Sequence, residues 1–159
     1  MKIAYVFLLN LLIFVVALPA NGAVLASQVV ALRVATEKTT YRLGEVVKVT
    51  SYYLNKSNKA LYVTFAPTKQ IMTFKRKGDK PKVDTADFDK SAIESAGYLA
   101  LMPKKEIAGG KSEFNRSYID KPGVWEIQLT EYRDGGRNKK GEILWQGTID
   151  SNAIIITVK

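Results

Sequence analysis

The chain has 159 residues with 24 Lys and Arg against 15 Asp and Glu, a formal net charge of +9, and neither cysteine nor histidine. Disulfides, thiolate nucleophiles, imidazole bases and zinc sites built on nitrogen or sulfur are thereby excluded, which leaves carboxylates, hydroxyls and lysines as the reactive groups. With 47% hydrophobic and 25% charged residues, the chain can bury a core of its own, and its length suits one domain.

Lys2 precedes an apolar run over residues 3–18, broken only by Asn10, and Pro19 to Ala26 then supplies small and helix-breaking residues. That is the layout of a secretory signal peptide. The run is short for the roughly 20 residues that span a bilayer, so a membrane anchor is the weaker reading. Ala20-Asn21-Gly22 and Val24-Leu25-Ala26 place cleavage between residues 22 and 26, giving a leader over 1–26 and one domain over 27–159. No cysteine follows the leader, which excludes lipoprotein processing. The only charge in the leader is Lys2, so the remaining chain stays strongly basic and is expected in a periplasm or outside the cell.

From Val29 onward, short β-rich runs alternate with Gly, Asn, Asp and Pro clusters, and no 3.6-residue apolar period is sustained over a helix length. Strands are predicted at 29–35, 46–54 and 60–65, the second with Val47, Val49, Ser51 and Tyr53 on one face. A fourth is predicted at 71–77, followed by a polar break over 80–97 with a helical turn at 92–96. Later strands fall at 98–102, 112–120, 124–132, 143–149 and 153–158. Trp125, Ile127 and Leu129 share a face, and Tyr132 falls out of their phase, which suggests a bulge near Thr130. Residues 133–141 read as an exposed Gly- and Lys-rich loop. Seven to nine short strands without a crossover helix predict an all-β, antiparallel, immunoglobulin-like β-sandwich.

Three local patterns carry a family resemblance: Tyr41-Arg42-Leu43-Gly44-Glu45 before a strand ending in Leu54-Asn55-Lys56-Ser57, Gly123-Val124-Trp125-Glu126-Ile127, and Trp145-Gln146-Gly147 with Ser151-Asn152. Over most of the length beyond the leader, the chain resembles bacterial extracytoplasmic immunoglobulin-like modules. That resemblance implies a binding or scaffold role without catalysis. The Asn55 region, the middle hairpin and Pro122-Gly123 are also similar to the immunoglobulin-like proteinase inhibitors, although neither the Asn-Pro-Thr-Thr-Gly nor the Arg-Pro-Trp loop of the chagasin type is present.

The strongest chemical signal is basic density: Lys56, Lys59, Lys69, Lys75, Arg76, Lys77, Lys80 and Lys82 face a single acid, Asp79, between residues 55 and 82. This can form an electrostatic surface for another protein or an anionic envelope component, or it can be a solvated hairpin whose lysines blunt a sheet edge. The candidate binding residues are Lys75, Arg76, Lys77, Lys80 and Lys82, then Arg133, Arg137, Lys139 and Lys140 in the later basic loop, and Trp145. Nucleic acid is excluded as a partner by export and by the lack of an ordered aromatic stacking platform. Asp84, Asp87, Asp89 and Glu94 do not match calcium-loop spacing, so no metal and no cofactor is expected. Trp125 is assigned to the core on its period-two phase. The reading is therefore a non-enzymatic binding module using basic surface loops. The rivals are a proteinase inhibitor and a structural subunit of an envelope assembly that pairs by strand addition.

Overall fold

The computed structural model describes residues 29–64, 66–89, 91, 97–137 and 140–159, with Gly136 and Arg137 described by backbone alone. The leader and the helical turn expected at 92–96 lie outside the described residues. The strands run β1 Val30–Thr36, β2 Thr40–Tyr41, β3 Val47–Asn55, β4 Leu61–Thr64, β5 Lys69–Arg76, β6 Lys82–Asp87, β7 Tyr98–Leu101, β8 Glu106–Phe114, β9 Gly123–Arg133, β10 Gly136–Arg137, β11 Ile143–Leu144, β12 Gly147–Asp150 and β13 Ile154–Val158.

They form the expected antiparallel, immunoglobulin-like β-sandwich. One main sheet has the order β1-β3-β8 and the other β2-β13-β9-β5-β6, with β12 also on β9. Alternation along β3 buries Val47, Val49, Ser51 and Tyr53, as its pattern predicts, and β9 buries Trp125, Ile127 and Leu129 opposite them. Phe74 on β5 packs edge-on to Phe114 at 4.7 Å and stacks with Tyr118 at 5.1 Å, which fills one end of the core. A small side sheet, β10-β11-β4-β7, completes the fold.

Several boundaries depart from expectation. The polar break contains β6, an edge strand whose exposed positions left no apolar alternation to read. The strand expected at 112–120 lies upstream as β8, because Gly109-Gly110 interrupts its pattern, and Tyr118 sits in the turn after it. The bulge expected near Thr130 is absent: β5 pairs with β9 without interruption from Trp125 to Tyr132, and Glu131 and Arg133 continue the inward phase. The irregularity lies instead between Thr50 and Tyr52, where β3 meets β8. The segment 143–149 splits into β11 and β12 around Trp145. Two short pairings, β11 with β4 and β13 with β2, are parallel. The extra elements beyond nine are mostly two-residue strands.

The two main sheets are joined along one side and parted along the other. On the joined side Asn152 acts as a strand in miniature: its Oδ1 accepts from Val34 N at 2.9 Å and its Nδ2 donates to Val34 O at 3.3 Å. On the parted side the sheets end in β8 and β6, each with one edge unpaired among the described strands. At β8 the bulge is filled by Ser51, whose Oγ accepts from Gly110 N at 3.0 Å. A Cβ on Gly109 would stand 2.4 Å from Tyr53 Cε2 and 2.8 Å from Ser51 Oγ, whereas one on Gly110 would meet nothing within 4 Å. Gly109→Ala is therefore expected to cost about 1–3 kcal/mol through overpacking, and Gly110→Ala within about 0.5 kcal/mol. Thermal or denaturant unfolding of the two variants checks the contrast.

Candidate functional site

The expected basic loops separate into buried and exposed parts. Arg133 is not a loop residue but the last position of β9, 3% exposed, facing Glu131, which is fully buried. Two residues apart on one strand, they share the core face. Arg133 Nη2 donates to Glu131 Oε2 at 2.9 Å and to Tyr53 OH at 2.7 Å, while Nη1 donates to Thr64 O and to Thr64 Oγ1 at 3.1 Å. Glu131 Oε1 accepts from Gln70 Nε2 at 2.8 Å, and Tyr53 OH lies 2.8 Å from both carboxylate oxygens. The network ties β3, β4, β5 and β9 together and presents nothing to a surface partner. Trp145 is also buried and donates its backbone N–H to Tyr62 O at 2.7 Å, so it is not an exposed ligand platform. Arg133 is carried inward by the alternation of β9, which its polarity concealed, whereas Trp145 lies between β11 and β12 and is buried beside Leu144.

Of the remaining loop residues, Lys140 is exposed, Arg137 lies on β10, and Lys139 falls outside the described residues. On the β5–β6 hairpin, Lys75, Lys77 and Lys80 are exposed. Arg76 is spent on Asp79, with Nε to Oδ2 at 2.8 Å and Nη2 to Oδ1 at 3.1 Å, and Lys82 pairs with Asp120 at 2.8 Å. The Arg76 hydrogen bond holds the Asp79 carboxyl below its ordinary range, and the Lys82 hydrogen bond does the same for Asp120. Lys75 stands opposite Glu126 in the β5–β9 register. The hairpin is thus a mixed-charge surface with three exposed lysines. Asp84 and Asp87, expected in the polar break, are on β6, where Tyr118 OH donates to Asp84 Oδ1 at 2.6 Å and Lys69 lies 3.8 Å from Asp87.

Unpaired positive charge also gathers at another place among the described residues. The β3–β8 ribbon turns over at Asn55 and continues as β4–β7, so the turn after β3 and the turn before β8 meet at one corner. Asn55 is fully buried and clamps both. Its Nδ2 donates to Lys59 O and Leu101 O, each at 2.8 Å, its backbone N–H donates to Lys105 O at 3.1 Å, and its carbonyl accepts from Lys104 N at 2.9 Å. Four exposed lysines result, Lys56, Lys59, Lys104 and Lys105, and none has a carboxylate partner among the described residues. Lys104 Nζ also donates to Lys56 O.

The β7–β8 turn is a type II turn, closed by Lys105 N to Met102 O at 3.1 Å, with Pro103 second and Lys104 third. The third position demands positive φ and is usually glycine, yet Lys104 holds φ 58°. A non-glycine residue there costs on the order of 1–3 kcal/mol, and such strain gathers at functional sites. The basic reading of the sequence found Lys56 and Lys59 but missed Lys104 and Lys105, which lie far away in the chain; the Met-Pro-Lys-Lys turn was the available signal. Asn55 and Pro122, the two loops of the inhibitor resemblance, lie at opposite ends of the sandwich. Tyr53 meets Glu131 near the end of β9, whereas Pro122 precedes its first residue.

Comparisons with known proteins give shape alone. No protein-family model and no curated protein sequence matches the chain. The solved structures similar to it include the CARDB domain of a Pyrococcus furiosus protein in complex with di-metal ions, with 9% identity over 81% of this chain and 91% of that one and a TM-score of 0.39. A Bacillus subtilis sporulation control protein matches with 19% identity over 82% of this chain and 49% of that one, at 0.42. A Listeria innocua β-glucosidase in complex with isofagomine matches with 12% identity over 81% of this chain and 16% of that one, at 0.42. Likeness at this level passes nothing about ligand, metal or activity to this chain.

Two outcomes follow from the buried network. Glu131→Ala is expected to cost about 3–5 kcal/mol by leaving Arg133 buried and unpaired, and replacing both residues by hydrophobic ones is expected to cost less than that single change. Burial, then the Glu131 carboxylate, push the Tyr53 phenol far above its ordinary range. Its neutral form is favoured by folding, so that contribution is full below about pH 10, the unfolded value, and is lost as pH rises above it. Urea unfolding in alkaline buffers is expected to show stability falling above that pH, with a shallower fall in Tyr53→Phe.

Proposed function

We propose that the chain is an exported, non-enzymatic binding module that attaches to an anionic phospholipid surface of the envelope through the lysine corner around Asn55. The observation that carries this reading is the corner itself. Two loops distant in sequence are clamped by one buried residue, through its side chain and its backbone, so that four lysines converge without a neutralising carboxylate. Met102, 55% exposed, stands in the same turn as Lys104 and Lys105 and offers an apolar side chain to the headgroup boundary. Each lysine near such a surface contributes about 1 kcal/mol, so four support reversible attachment. Among the described residues no helix is long and apolar enough to cross a membrane. A non-catalytic role is supported by the chemistry left to the chain, since it has no cysteine or histidine and its buried carboxylate is already held by Gln70, Tyr53 and Arg133.

Flotation with phosphatidylglycerol vesicles tests the reading. The protein is expected to float with them at low salt, to be released as ionic strength passes the physiological range, and to ignore phosphatidylcholine vesicles. Lys104→Gln with Lys105→Gln is expected to weaken attachment about tenfold or more, and Lys75→Gln with Lys77→Gln and Lys80→Gln to weaken it less. Salt-independent flotation, or equal flotation with zwitterionic vesicles, overturns the proposal; a larger loss from the hairpin variant moves the surface to β5–β6. Lys104→Gly relieves the left-handed strain and is expected to be neutral or stabilising by up to about 1 kcal/mol while still weakening attachment, which separates binding from stability in one variant.

A further inference from the structure

Where the two main sheets part, between the free edges of β8 and β6, they enclose an open-mouthed cavity of about 410 Å³. That volume lies within the roughly 300–1,000 Å³ of small-molecule sites. Its floor is apolar, formed by Val49, Met72 and Leu129, which are all buried. Its rims are kept low by small residues on both edge strands: Gly110 on β8, where an added Cβ would meet open space, and Ala86 on β6. The neighbouring Gly109 has no such freedom, so the thin wall at Gly110 is a local property of the bulge that Ser51 fills.

Three of the four polar uncharged side chains on the lining are already engaged, Ser112 being the fourth. Ser51 Oγ bonds the Gly110 backbone, Tyr53 OH is held by Glu131 and Arg133, and Gln70 Nε2 donates to Glu131. A ligand that depends on many directed hydrogen bonds, such as a sugar, would have to break them. Lys111 is the one charged residue on the lining; it pairs with the outward-facing Thr50, so its side chain reaches the mouth round the free edge of β8, and it has no ion pair among the described residues. An apolar floor, few uncommitted polar groups and a single cation on the edge strand beside the mouth suit an apolar body with one anionic head.

We infer that this seam is a binding site for a monomeric amphiphilic carboxylate, a medium-chain fatty acid in chemical class, with its chain on Val49, Met72 and Leu129 and its carboxylate at Lys111. The site is separate from the lysine corner and does not depend on it.

Isothermal titration with decanoate, kept below its micelle concentration, tests the inference. Saturable binding of one decanoate per chain is expected. Gly110→Leu and Ala86→Leu fill the cavity from opposite strands, and each is expected to weaken binding about tenfold, with circular dichroism and melting temperature confirming the fold of each variant. Lys111→Gln is expected to weaken decanoate about threefold, the scale of an exposed ion pair, and to leave decanol unaffected. Lys104→Gln with Lys105→Gln is expected to change nothing. Absence of saturable binding to the wild-type protein, unchanged binding in both folded cavity-filling variants, or loss of binding in the corner variant overturns the inference.

Discussion

A buried ion pair governs how the sheets of this sandwich meet. Glu131 and Arg133 reach into the interior from one strand, and their partners come from the opposite main sheet through Tyr53, from the side sheet through Thr64 and from the adjacent strand through Gln70. Removing two charges from water is costly, and the cost is recovered only when geometry is good and the remaining donors and acceptors are engaged. Such a network is a weak source of net stability but a strict condition on register. A one-residue slip of β9 would turn both charges outward and Tyr132 inward. The three sheets are therefore held to one relative placement at this end, and the Asn55 corner is built at that end.

Fold and site differed in how far they could be read from residues alone. Period-two alternation in β3 and in the first half of β9 was explicit, because Val47, Val49, Trp125 and Ile127 alternate with polar neighbours. The second half of β9 broke the rule that inward residues are apolar, so a continuous strand read as a bulge followed by a cationic loop. At β8 the difficulty was the reverse: Gly109 and Gly110 have no side chains with which to alternate, yet their lack of a Cβ is what the close passage over Tyr53 requires. β6 was hidden because an exposed edge strand needs only one lightly buried face. The lysine corner was half legible. Lys56 and Lys59 stand in an obvious polar turn, but their meeting with Lys104 and Lys105 depends on the tertiary pairing of β3 with β8, which no local pattern encodes.

The sandwich is also asymmetric in its sides. Asn152 stitches β1 to the segment between β12 and β13, so one flank carries continuous polar pairing from sheet to sheet. The other flank ends in two edges separated by a cavity. A long, flat, apolar edge invites aggregation, and here β6 carries Lys82, Asp84 and Asp87 while β8 carries Lys111 and Glu113. Charge thus guards both edges, and the gap between them stays lined with apolar side chains at its floor.

The carboxylates and phenols whose ionisation the fold perturbs are displaced away from neutrality. Glu45, Asp79, Glu106 and Asp120 are held below the ordinary carboxylate range, chiefly by hydrogen bonds from basic side chains. Tyr53, Tyr62 and Tyr118 are raised, Tyr53 by burial and the others by hydrogen bonds to carboxylates. These displacements move the perturbed groups away from the middle of the pH scale, in a chain that has no histidine to titrate there and no thiol for oxidants to act on. Adhesion by such a molecule would answer chiefly to the ionic composition of its surroundings, and oxidation could reach it only through a thioether such as that of the exposed Met102.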